Sequence, residues 1–175
     1  MLRMLKNLTF VYVPREDRVL AAINAGQQEA WSCWLTRRLA LAVLERATDY
    51  VARTSDMAQR APTDLRGEFV AFERDAAIAT TAPAMSVTPP GVLQSTAPAA
   101  QLAERLTIAK HGAGFRLELS EKSGEGAAAL LKRDELQRIL QMLQGEIAKA
   151  GWFAAPGKPP AAASPAAGDP KPARH

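Results

Sequence analysis

Cysteine is nearly missing from this chain. Cys33 is the only one in 175 residues, and one thiol can form neither an intrachain disulfide nor a thiolate-rich metal site. Histidine is almost as scarce. His111 and His175 share no His-x-x-x-His or Cys/His spacing, so no metal and no cofactor are expected. Aromatics make up only 6% of the residues, which leaves the core to Leu, Ile and Val. No run of about 18 uncharged apolar residues exists, so no membrane span is expected. The N-terminus "MLRMLKNLTF" lacks a secretory apolar run and a cleavage site. A cytoplasmic protein is the expectation.

Charge of one sign is also in short supply. The net charge is +4. Residues 154–175 hold Lys158, Lys171 and Arg174 against Asp169, a net of +2, which leaves +2 for the rest. A dedicated phosphate-binding face needs denser Lys and Arg than that. Nucleophile-elbow, phosphate-loop and dinucleotide glycine motifs are absent. Glu16/Asp17 sit at a turn and Asp134/Glu135 at a helix start, where structure alone explains them. The chain is therefore read as not an enzyme. His111 reads as an exposed turn residue. Cys33, between Trp31 and Trp34, reads as a buried structural thiol.

What is present is a pattern. From Phe115 the chain alternates: Phe115, Leu117 and Leu119 on one face, Arg116, Glu118 and Ser120 on the other. That is the period of a half-buried strand. "RLTIAK" pairs with it through "HGAG", whose glycines supply a tight turn. "AAALLK" is a third strand. Leu136, Ile139, Leu140, Leu143 and Ile147 then form one apolar stripe. Asp134 and Gln137 suit a capping box there, and Gly151 with Trp152 suits a Schellman ending. The first half follows the same plan. "LTFVYV", the turn "PRED", "RVLAAIN" and "EAWSCWL" precede a helix capped by Thr36 and carried by Leu39, Val43, Leu44, Ala47, Tyr50 and Val51 to about Arg60. Leu8 and Arg18 match Leu106 and Arg116 at an offset of 98. Leu39 and Val43 match Leu136 and Leu140 at 97.

The expected fold is α+β: two ββ(β)α repeats whose antiparallel sheets pack with a pseudo-twofold relation, with helices on one face. One sheet and helix cannot bury enough surface alone, and two can share a core. The first repeat spans 8–60 and the second 102–153, within a single domain of residues 1–153. Residues 61–101 hold an amphipathic helix, with Leu65, Phe69, Phe72, Ala76 and Ala79 at spacings of three and four, followed by a Pro/Thr-rich linker. Residues 154–175 are Ala/Pro-rich and are expected to be a disordered tail.

Two functions follow. The first is a non-catalytic interaction or assembly module acting through a protein partner or self-association as a homodimer. Phe69, Phe72, Trp31 and Trp34 are its candidate partner surface. The second comes from layout. Across both halves the order of elements resembles the single-strand nucleic-acid binders of the PUR-alpha and Whirly type. That resemblance implies sheet faces that bind a strand, with Tyr12, Arg18, Trp31 and Arg116 as contacts.

Overall fold

The structure is a computed structural model that describes residues 1–80 and 100–153. The linker expected between the halves lies largely in 81–99, and the tail in 154–175, both outside the described residues. The fold is mixed α+β. Strands β1 (Leu2–Met4), β2 (Leu8–Val13), β3 (Arg18–Ile23) and β4 (Trp31–Leu35) lead into helix α1 (Arg37–Arg53). Helices α2 (Asp56–Arg60) and α3 (Arg66–Thr80) follow. Then come β5 (Gln101–His111), β6 (Gly114–Glu121), β7 (Gly126–Leu131) and α4 (Arg133–Lys149).

All seven strands form one sheet in the order β1-β7-β6-β5-β4-β3-β2. β2-β3-β4 and β5-β6-β7 are antiparallel meanders. They join edge to edge through a parallel β4–β5 pair, Cys33 beside Gln101 and Trp34 beside Leu102. β1 adds a second parallel pair on β7, with Met4 beside Ala128.

β1 and β2 are the opposite edges of this sheet, yet only Leu5, Lys6 and Asn7 separate them. Four residue steps reach about 14 Å at most. Six strand spacings in a flat sheet would need about 29 Å. The sheet must therefore curl until its edges meet. Asn24, fully buried with φ +51°, clasps that closure. Its Oδ1 accepts from the Lys6 and Asn7 N–H groups, at 2.8 and 3.2 Å. Its Nδ2 donates to the Met4 carbonyl at 2.8 Å. Asparagine suits the position because its short amide tolerates left-handed backbone and reaches nearby main chain. β1 was not anticipated from sequence. It is a three-residue strand with no room for a visible period.

One side of the curled sheet carries the core. Leu8 and Phe10, Val19, Ala21 and Ile23, and Trp31, Cys33 and Leu35 belong to the same cluster as Phe115, Leu117 and Leu119. α1 brings Ala40, Val43, Ala47 and Val51 to it, and α4 brings Leu136, Ile139, Leu143 and Ile147. Both helices thus pack on one face, as the apolar stripes require.

The helix ends differ in part from expectation. Thr36 does cap α1, accepting from the Leu39 N–H at 3.2 Å. That helix stops at Arg53 instead of reaching Arg60, because Ser55 opens the separate helix α2 by accepting from the Ala58 N–H. α4 begins before Asp134. Lys132 is its capping position, and the Glu135 carboxylate accepts the Lys132 N–H at 2.7 Å. Its C-terminus does end on Gly151 with φ +68°. The Trp152 N–H bonds the Ile147 carbonyl at 3.3 Å, and Trp152 is buried. α3 forms where expected. Its buried residue is Ala77, while Phe72 faces outward.

The two hairpins differ in turn length. Leu8 lies opposite Ile23, and Leu106 opposite Leu119. The first hairpin turn spans Pro14 to Asp17, whereas the second holds only Gly112 and Ala113. Superimposing the hairpins would therefore set Leu8 on Leu106, 98 apart, and Ile23 on Leu119, 96 apart. In that superposition Arg18 falls on Gly114. The two 17-residue helices also start 96 residues apart, at Arg37 and Arg133.

Candidate protein-interaction face

The side of the sheet away from the helices is built by alternation. Side chains two apart share a face, and laterally paired residues lie side by side. Three rows follow from the register. Leu2, Gly126, Ser120 and Arg105 form one row. Met4, Ala128, Glu118 and Thr107 form the next, and Leu130, Arg116 and Ala109 the third. Gly126 is the close point of this surface, since a Cβ there would strike the Leu119 carbonyl.

The β1–β7 side of these rows is apolar and open. Leu2 is 42% exposed, Met4 69% and Leu130 66%. A groove of about 590 Å³ runs past Leu2, Met4, Ala128 and Leu130, with Arg116 and His111 at its rim. Leu102, 48% exposed, marks a smaller apolar spot beside Trp34 at the β4–β5 junction. On β3 the same face is covered, with Leu20 and Ala22 buried. Arg116 Nε donates to Glu118 Oε1 at 2.7 Å, and Arg3 reaches Glu125 at 3.4 Å. Such exposed pairs are worth about 0–1 kcal/mol and exchange readily.

The residues singled out from sequence scatter over the molecule. Trp31 is in the core. Trp34 is half-buried on the uncovered face. Tyr12 lies on the helix side, where its ring meets Trp152 edge-on at 5.6 Å. Its phenol donates to Asp17 Oδ1 at 3.1 Å. Desolvation, then the hydrogen bond and charge of Asp17, push that phenol above its ordinary pKa. Arg18 is half-buried at the end of β3, and Arg116 is exposed on the uncovered face. Phe69 is half-buried on α3 and Phe72 is 64% exposed. Of this set the structure brings Arg116 to the open groove and no aromatic with it. Leu2, Met4 and Leu130 were missed. The signal for Leu130 was present, since Phe115–Leu119 alternation implies a partner strand with Ala127, Ala129 and Leu131 inward and Leu130 outward.

Cys33 is fully buried. Burial first, then the charge of Glu121, push its thiol well above the usual cysteine range. A thiol held neutral is a poor nucleophile. Among the described residues no group of three or more His, Cys, Asp or Glu side chains is placed to hold a metal ion, and no helix is long and apolar enough to cross a membrane. No known protein family, curated protein or solved structure matches the chain.

Proposed function

We propose that the chain is a non-catalytic protein-interaction module. Its core would be two ββ(β)α repeats about a pseudo-twofold axis, and its uncovered sheet face would receive the partner. Reciprocal contacts support the repeat. The Tyr12 N–H donates to Glu146 of α4 at 2.7 Å, and the corresponding Lys110 N–H donates to Tyr50 of α1 at 2.9 Å. Tyr50 and Glu146 are 96 apart, as the helices require. Arg133, at the start of α4, donates to the Val51 carbonyl at the end of α1 at 2.9 Å. Arg37, its counterpart, donates to the Trp152 carbonyl beyond α4 at 3.3 Å. Each half thereby holds the other.

The observation that carries the function is the open run of Leu2, Met4 and Leu130. Large aliphatic side chains exposed side by side on a sheet mark an interaction surface. Aliphatic groups favour a protein partner over single-stranded nucleic acid, whose bases stack on aromatic rings. The test is affinity purification from native cells, with and without nuclease, using wild type and Leu130→Glu. A nuclease-resistant protein partner lost in the variant supports the reading. Tight oligonucleotide binding with a steep salt dependence, lost in Arg116→Ala, overturns it.

A further inference from the structure

We propose that the occupant of this face is a second copy of the same chain, packed sheet to sheet about a twofold axis. The inference rests on reading the face as an interaction surface and adds the identity of the partner. A twofold contact uses one patch on both molecules, so that patch must complement itself in shape and in charge. This one does so twice over. The groove of about 590 Å³ is lined by Met4 and Leu130, which themselves stand exposed to solvent. The knobs and the hole that receives them therefore lie within one patch.

The charges alternate in the same way. Arg116 and Glu118 stand two residues apart on β6, flanked laterally by Leu130 and Ala128. Turning a second copy antiparallel over the face sets each Arg116 against the Glu118 of the other molecule. The intramolecular pair they now form would be exchanged for two intermolecular ones. Arg105, beside Ser120 in the outermost row, lies farthest from Leu130 and leaves this alternation intact. Face-to-face sheets pack about 10 Å apart, which is the reach of interleaved Leu, Met and Arg side chains.

Sedimentation velocity over a concentration series tests the proposal on the full chain. Wild type is expected to show a monomer–dimer equilibrium. Leu130→Glu and Met4→Glu change exposed residues and should leave the fold intact by circular dichroism. Each should weaken dimerisation about thirtyfold or more, as loss of a central contact does. Charge inversion adds a readout that a merely sticky surface would not give. Arg116→Glu and Glu118→Arg should each fail to self-associate, yet form a heterodimer when mixed. A monomeric wild type overturns the second copy as occupant. If that monomer still captures a protein through Leu130, the interaction face itself stands. A dimer indifferent to Leu130→Glu, or charge variants that do not complement, also overturns the proposal.

Discussion

The two helices that close the core differ in the size of what they bury. Counted from each helix start, α4 buries Leu136, Ile139, Leu143 and Ile147 at the positions where α1 buries Ala40, Val43, Ala47 and Val51. α4 packs on β2, the first strand of the other meander, and α1 packs on β5. Under α4 the strand is well covered, with Leu8 and Phe10 buried. Under α1, Leu106 and Ile108 stay half-buried, and a groove of about 280 Å³ opens between them and Ala42, Ala47 and Tyr50. The same frame thus has a filled side and an underfilled side. A frame of strand register and helix length survives a change from leucine to alanine, but packing density does not.

The sharpest way to break this comparison is to exchange the side chains. Leu143→Ala should cost about 2–5 kcal/mol, because it removes fully buried methyl groups from a filled site. Ala47→Leu adds the same groups beside an existing groove and should stay within about 1 kcal/mol of wild type, since the usual overpacking penalty belongs to filled cores. Urea denaturation of both variants checks this. Equal and opposite costs, or a severe loss in Ala47→Leu, would show that the groove is not room the core can use.

The sequence made the frame legible and the assembly less so. Period-two alternation in Phe115–Ser120 and the stripe Leu136–Ile147 are local signals, and they located β6 and α4. Gly151 and Trp152 announced the helix stop because one residue must adopt positive φ. The difference between a four-residue and a two-residue hairpin turn was not legible, because turn length is set by turn chemistry and leaves no mark in apolar spacing. β1 was hidden because its reason is the closure of the sheet by Asn24, a long-range bond with no sequence period. Phe72 was offered as a partner-surface residue, and it is 64% exposed. α3 buries the side of Ala77, where a small residue lets helices approach. The open face was invisible because it depends on which strands the helices leave bare.

The arginine clamps test the same asymmetry at the helix ends. Arg133 bonds the Val51 carbonyl, the Thr54 carbonyl and the Thr54 hydroxyl, and its guanidinium lies 5.4 Å over the Phe115 ring. Arg37 makes one longer bond from an exposed position. Arg133→Met should therefore cost about 2 kcal/mol, in the range for charged hydrogen bonds to carbonyls. Arg37→Met should cost less than about 1 kcal/mol. Thermal melts of the two variants and of the double variant give the comparison. Equal losses would mean that both clamps hold the helices alike and that the asymmetry ends at the core.

The smallest expected effect concerns Cys33, at the β4–β5 junction between the meanders. Its thiol is raised above the ordinary 9.0 by burial and by Glu121. The folded chain therefore keeps the proton where the unfolded chain has released it. For such a group the stability contribution is whole below the unfolded value and is lost as pH rises beyond it, because the unfolded state then binds fewer protons. Wild type should lose about 1 kcal/mol between pH 9 and pH 10 from this group alone. Cys33→Ala pays a constant cavity cost at every pH but lacks that slope. Every other ionisable group is common to both proteins, so the difference between the two urea-derived stability curves isolates the thiol. Curves that stay parallel from pH 7 to pH 10 would mean that water reaches the junction, and that the seam between the two meanders is looser than the core on either side of it.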